Sequence, residues 1–372
     1  MKRISKLLSM ALIGGLLLNS CSSDDDIVDP DGPQAEGDYT NGFFVLNEGG
    51  IGKNNSTITY VSNDFSIIDT EIFSKVNDQP MGDTGQNITF TKDYAFIVMN
   101  YSNLIHIVNR NSMELVHTIE SGLSYPRDVV VYKDHIYVTN WGDGFDANDD
   151  YIAIYDLENY EATGTISVEE GPEMIIAEND KLYVNLQGGY NFNNKILVID
   201  PVSNSIEKSI EVGDVPSSLE IEDGYLWVMS SGIPSWPEDI EETAGRISKI
   251  DLSTNEISDE IIFPNITDHP SSFEIENDKI YYFLNGAVYS METSAEEVPE
   301  ELPEELPTES LFTLSEDIFA LYGFELEDGY FYTGDANDYS SNGTIRIYNM
   351  NGELVDEIDS GGVNPNGFYF ND

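Results

Sequence analysis

Four histidines, one cysteine and 69 acidic residues are the side chains from which this 372-residue chain could assemble a reactive centre. His106, His117, His135 and His269 lie far apart in sequence, and no pair has the spacing that brings two imidazoles onto one metal ion. Cys21 has no histidine near it, no serine is accompanied by a recognisable base, and no glycine pattern suits a phosphate. A catalytic centre is therefore not expected. Asp143, Asp146, Asp149 and Asp150 crowd a single loop, but the spacing is not that of a calcium-binding EF-hand loop and lacks its closing glutamate. A solvated turn is the simpler reading.

The residues that point to chemistry are instead aromatic rings set among amides in glycine-rich stretches. Tyr101, Trp141, Phe145, Tyr190, Phe192, Trp236 and Tyr339 are the rings; Asn47, Asn54 and Gln187 are the accompanying amides. Stacking supplies affinity for a flat or ringed ligand, and amides fix its orientation, so the chemistry expected is non-covalent capture. Any one ring could fold down as a plug over its own loop. Recurrence across several loops favours binding.

The elements that must carry these loops are short strands in a repeating unit. Between Pro126 and Gly171 the chain reads as four strands, each bounded by turn chemistry. The second strand of each unit has an aromatic or apolar centre: Phe43-Phe44-Val45, Tyr94 to Val98, Tyr137-Val138, Tyr183-Val184, Leu226-Trp227-Val228, Tyr281-Tyr282-Phe283 and Phe331-Tyr332. Third strands tend to close on an acidic turn, at Asp156, Asp200 and Asp251. First strands tend to follow a proline, at Pro126, Pro172, Pro216, Pro270 and Pro365, which suits a residue with no N–H to donate. Four-stranded units at a period of about 40 to 50 residues describe propeller blades. The fold expected is an all-β, seven-bladed β-propeller over residues 41–372, closed by pairing the C-terminal strand into the first blade. In that fold the second-to-third strand loops gather on one rim, bringing distant rings together.

Residues 1–20 read as an export signal: Lys2, Arg3 and Lys6 precede an apolar run, Leu7 to Leu18, too short to span a bilayer. Leu18-Asn19-Ser20-Cys21 resembles a bacterial lipobox, which makes Cys21 the expected lipidation site. Residues 21–40 are acidic and rich in Gly and Pro, a flexible tether with a reach of about 25 Å. Beyond residue 20 the chain keeps 13 basic residues against 69 acidic ones. That balance excludes nucleic acid as a partner, and the acids, dispersed through turns and strand edges, read as a solvated surface. The Pro- and Glu-rich stretch at 292–309 reads as an exposed, mobile excursion between third and fourth strands, on the rim opposite the aromatic loops.

The repeat, with its literal Tyr137-Val138-Thr139-Asn140, resembles the YVTN-type seven-bladed propeller family. A closer similarity is to Bacteroidota surface lipoproteins of that type, among them cobalamin-binding propellers that serve a TonB-dependent vitamin B12 transporter. The similar stretches are Gly42 to Gly49, Asn54 to Ile58, Met81 to Gln86, Tyr125-Pro126-Arg127, Gly334 to Tyr339 and Gly343-Thr344-Ile345. Ser22-Ser23-Asp24-Asp25-Asp26 resembles the acidic surface-export signal of such lipoproteins. The resemblance implies a monomeric protein, lipid-anchored in the outer membrane and facing the exterior. It would need no cofactor of its own, and would bind a corrinoid and pass it to the transporter. A glycan-binding or adaptor lipoprotein would share the same features. Propeller lactonases and related hydrolases build metal sites around the channel, for which Asn47, Glu48, Asn87, Asp128, Glu173 and Asn366 are the candidates here.

Overall fold

The computed structural model describes residues 39–236, 239–294 and 302–371. The export signal, Cys21 and most of the tether lie outside these residues. Among the described residues no helix is long and apolar enough to cross a membrane.

The strands form seven four-stranded antiparallel sheets, each ordered from an inner first strand to an outer fourth. This is the seven-bladed propeller expected from the repeat. In blade 1 the inner strand is the C-terminal Pro365–Asn371, which pairs with Gly42–Asn47 and so closes the ring. The remaining inner strands, from blade 2 to blade 7, are Gly85–Phe90, Pro126–Tyr132, Pro172–Glu178, Pro216–Glu222, Ser271–Glu276 and Leu321–Glu327.

Burial is divided among layers between successive blades. Val129, Val138 and Tyr155 of blade 3 pack on Phe96 and Ile107 of blade 2, while Tyr137 and Ile154 face Ile175 and Val184 of blade 4. Alternate residues of one strand thus serve two neighbours, because successive strand side chains point to opposite faces. The motif Tyr137-Val138-Thr139-Asn140 shows how the blades are tied. The Tyr137 hydroxyl donates to Pro201 O (3.2 Å), Thr139 Oγ1 to Glu173 O (2.7 Å), and Asn140 Oδ1 accepts from Ser124 N (2.9 Å). Asn100 Nδ2, Asn185 Nδ2 and Ser231 Oγ each donate to the carbonyl of the proline that opens the next blade, Pro126, Pro216 and Pro270. The acidic turns are also explained. Asp156 Oδ1 accepts from Glu158 N and Asn159 N, and Asp251 Oδ1 from Ser253 N, each carboxylate completing its own turn.

Blade 6 departs from the pattern. Its second and third strands, Lys279–Leu284 and Ala287–Glu292, meet at a two-residue turn, Asn285-Gly286, and its fourth is only Phe312–Thr313. The insertion expected to stand free on the opposite rim does not do so where it is described. Leu302, 5 % exposed, enters the layer between blades 5 and 6, with Leu306 packed on it, and its N–H donates to Asp259 Oδ2 (2.6 Å). The Pro and Glu content had masked two leucines that short outer-strand pairing leaves room to bury.

Candidate functional site

The loops from second to third strands and those opening each blade share one end of the wheel, the crown. The opposite end carries tight acidic hairpin turns such as Asn179-Asp180, Asp223-Gly224 and Asn277-Asp278, all with positive φ.

Over blades 3 to 5 the crown rings form an arc. Phe145 stacks on Tyr190 (centroids 5.0 Å apart), Trp141 meets Tyr190 edge-on (5.7 Å), and Phe192 lies 6.0 Å from Trp236. A Cβ at Gly144 would sit 2.5 Å from the Tyr190 ring, so a larger residue there would push that ring aside. Phe145 is 87 % and Trp236 72 % exposed, and the Tyr190 and Tyr101 rings are exposed as well. A second patch stands on blade 7, where Tyr339 meets Phe319 and Tyr322, all three exposed. Phe319 and Tyr322 belong to the segment opening blade 7, whereas sequence reasoning looked only at second-to-third strand loops. Two rings at the opening of a first strand, one just before it and one within it, were the available signal.

Two expected contact residues serve the scaffold instead. Asn47 is wholly buried and its Nδ2 donates to Ser360 O (3.0 Å) and Thr57 Oγ1 (3.2 Å); a side chain at the end of a second strand faces the neighbouring blade. Trp141, 9 % exposed, donates from its indole N–H to Pro172 O (3.1 Å), and the Arg127 guanidinium covers its face at 4.1 Å. It is the plug considered for each ring. Asn54 is exposed with positive φ, its N–H held by Asp83 Oδ2 (2.9 Å). Gln187 is half-buried, with its N–H bonded to Gly171 O (2.9 Å).

Inside the crown lies the channel mouth. Each inner strand shifts register at its crown end, a bulge repeated in all seven blades. Bulges re-aim side chains, and here they place Arg127, Glu173 and Tyr322 around the mouth. Arg127 grips Glu173 through Nε (2.9 and 3.0 Å) and Nη2 (2.5 Å). The Tyr322 hydroxyl donates to Glu48, whose pKa burial raises. Asp128 Oδ2 accepts from Ile175 N (2.9 Å) and Oδ1 from Asn87, and burial lifts this carboxyl to about 6. Asn366 donates to Gly85 O (2.9 Å). The six residues considered for a metal therefore sit close to the mouth or in blade 1, each engaged by protein groups.

The histidines are dispersed, as their sequence positions imply. His106 is buried between Met81 O (2.7 Å) and Thr118 Oγ1 (3.0 Å), and His269 lies between Ser231 O and Glu242. In the acidic loop, Asp149 caps Asp143 N (2.9 Å) while Asp150 accepts from Gly171 N (2.7 Å). The loop acids turn to separate backbone tasks. Among the described residues the carboxylates close enough to share an ion are Glu222, Asp223 and Asp278, at the opposite end.

The acids are not all solvated. Glu220, Glu274 and Glu325 occupy one level of the inner strands of blades 5, 6 and 7, paired with Trp227, Tyr281 and Tyr332. Burial raises all three, and a neighbouring carboxylate adds to it in each case, Glu222 for Glu220, Glu325 for Glu274 and Glu220 for Glu325: Glu220 rises to about 7, Glu325 to about 8 and Glu274 well above the carboxylate range. Glu274 and Glu325 share a hydrogen bond, which requires one of them to hold a proton. Alternation along these strands looks like a solvated face in sequence, but an innermost strand turns that face toward the next blade.

Fold and site together define a propeller with a ring-bearing crown. The chain belongs to the family described as a domain of unknown function, DUF5074, which matches residues 41–371. No curated protein matches the chain. Among solved structures it is similar to a quinonprotein alcohol dehydrogenase-like protein from Bacteroides thetaiotaomicron, at 13 % identity and a TM-score of 0.65, over 90 % of this chain and 79 % of that one. It is also similar to a hypothetical selenium-binding protein from Sulfolobus tokodaii (13 % identity, TM-score 0.64, 88 % and 93 % covered). A functionally unknown protein from Desulfotomaculum acetoxidans is a third (12 %, 0.61, 90 % and 100 %). At these identities the similarity concerns the fold.

Proposed function

We propose that this protein is a non-catalytic ligand-binding propeller whose crown captures a small, ringed, partly polar molecule. The observation that carries the reading is the set of exposed rings, Phe145, Tyr190 and Trp236, offered by loops of three successive blades at one end. Exposed aromatic rings rimmed by polar groups are a common mark of an interaction site. Mounting them on a closed wheel keeps the ordering cost of binding low.

A corrinoid is the cargo that this chemistry and the family resemblance suggest. Its flat macrocycle suits a platform of rings, and its peripheral amides suit the polar loops. On this reading the protein is a surface lipoprotein anchored through Cys21, handing the ligand to an outer-membrane TonB-dependent transporter. Isothermal titration with cobalamin, cobinamide and a panel of oligosaccharides tests it. Saturable heat with a corrinoid, lost about tenfold in Trp236→Ala or Tyr190→Ala, supports the proposal. Heat with oligosaccharides alone transfers the crown to glycan binding. Silence with every probe removes small-molecule capture and leaves a protein adaptor.

A further inference from the structure

Blade 6 leaves a second concave site, apart from the ring arc of blades 3 to 5. Where the second-to-third strand connection shrinks to Asn285-Gly286, a cleft of about 560 Å³ opens between the loop after blade 5 and the segment 304–308. That volume lies within the range of small-molecule sites. Tyr282 and Tyr289 stand parallel along it (5.5 Å, 9°), with Phe263 edge-on to Tyr282 at 5.4 Å and Leu306 opposite.

Three of its polar groups have capacity to spare. Tyr282 is only 1 % exposed, yet its hydroxyl has no hydrogen-bond partner among the described residues and is not fully sealed from solvent. The Tyr289 hydroxyl has no partner there either. Asp268, 8 % exposed, receives Asn265 N (3.3 Å) and Nδ2 (2.8 Å) on Oδ2 alone, which leaves Oδ1 open. Glu304 and Glu305 stand exposed at the edge, and among the described residues no lysine, arginine or histidine lines the cleft. Burial, with Tyr289 and Asp268 close by, pushes the Tyr282 phenol up, so it remains a donor and acceptor.

We propose that this cleft binds an organic cation: an ammonium group on an aromatic or branched aliphatic body. The ring and leucine walls take the body, Asp268 Oδ1 and the two hydroxyls take the N–H donors, and Glu304 and Glu305 attract the charge. Carboxylates beside aromatic faces suit an ammonium ion through both charge and the ring quadrupole, and the same carboxylates repel an anion.

Three indole isosteres differing in side-chain charge form the test: tryptamine, tryptophol and indole-3-acetate, titrated calorimetrically into the purified protein. Tryptamine is expected to bind at least tenfold more tightly than tryptophol, with no saturable heat from indole-3-acetate. Asp268→Asn should bring the cation-to-neutral ratio within about threefold. Because that change touches a loop hydrogen bond, the exposed double variant Glu304→Gln/Glu305→Gln is the second arm, and should lower the ratio without altering the melting temperature. Trp236→Ala should leave tryptamine binding unchanged. Equal affinities for the three probes, no saturable heat with tryptamine at millimolar concentration, or ratios unmoved in both cleft variants would overturn the proposal. Loss of tryptamine binding in Trp236→Ala would place the amine on the crown and refute the cleft, while leaving the proposed function standing.

Discussion

Blade 3 and blade 6 are built from the same four-strand plan and spend it differently. Blade 3 has a long loop bearing Trp141 and Phe145, a full outer strand, Ala162–Ser167, and Val130 on its inner strand, packed into the layer shared with blade 4. Blade 6 has a two-residue turn, a two-residue outer strand and Glu274 at the equivalent level. The regular blade gives rings to the crown; the irregular one opens a cleft and adds a carboxyl to the interior. What the repeat conserves is the inter-blade layer, and what it leaves free is everything beyond the ends and edges of the strands.

The largest effect expected from this contrast is in the layers themselves. Tyr137→Ala removes a fully buried ring and an inter-blade hydrogen bond, and should cost about 4 kcal/mol in urea unfolding. Leu302→Ala, at the margin of the layer beside blade 6, should cost about 2 kcal/mol. Equal losses would mean that the insertion is as much a part of the core as the repeat.

Next comes pH. The carboxyls of blades 5 to 7 bind protons more tightly folded than unfolded, so their contribution is complete in acid and is lost as pH rises through about 7 to 8. Unfolding midpoints should fall between pH 5.5 and 8.5 by the equivalent of about 2 kcal/mol. Glu274→Gln should flatten the slope, whereas Val130→Thr at the blade 3 level should not. A slope that persists in the glutamine variant would place the titration elsewhere.

At the channel mouth, Arg127→Met strands a half-buried Glu173 and uncovers Trp141, at a cost of about 1.5 kcal/mol. The blade 6 counterpart, Ser271→Ala, should fall below about 0.5 kcal/mol. A double-mutant cycle with Glu173→Gln measures the coupling, and a value near zero would remove the ion pair from the account. Smallest in stability is Phe145→Ala, below about 0.5 kcal/mol because the ring is exposed, while the affinity of the crown for its ligand should drop about tenfold. A melting temperature that fell with it would make Phe145 a plug like Trp141.

The contrast also separates what the sequence discloses from what it hides. Strand alternation, proline starts and aspartate turns act within one blade, so Pro126, Tyr137 and Asp156 announce their roles locally. Ring closure was readable because Phe43 opens on a second strand and Phe368 lies in an unpartnered first one. Side chains whose fate depends on the neighbouring blade were not readable: Trp141 turns inward under Arg127, Asn47 is sealed by Ser360, and Glu220, Glu274 and Glu325 are half-buried on inner strands where the dispersed acids read as a solvated surface. The repeated bulge has no residue type of its own, being occupied by Asp128, Ser217 or Tyr322, so the channel mouth emerged only with the fold.

Closure through Pro365–Asn371 carries a temporal consequence. During synthesis the strand Gly42–Asn47 leaves the ribosome more than 300 residues ahead of its inner partner. Until then its inner edge lacks the hydrogen-bonding partner it has in the finished wheel. Blades 2 to 7 can stack in order as they appear, but blade 1 must wait for the far end of the ring, leaving a vulnerable interval in which a neighbouring nascent chain, or a chaperone, competes for that edge.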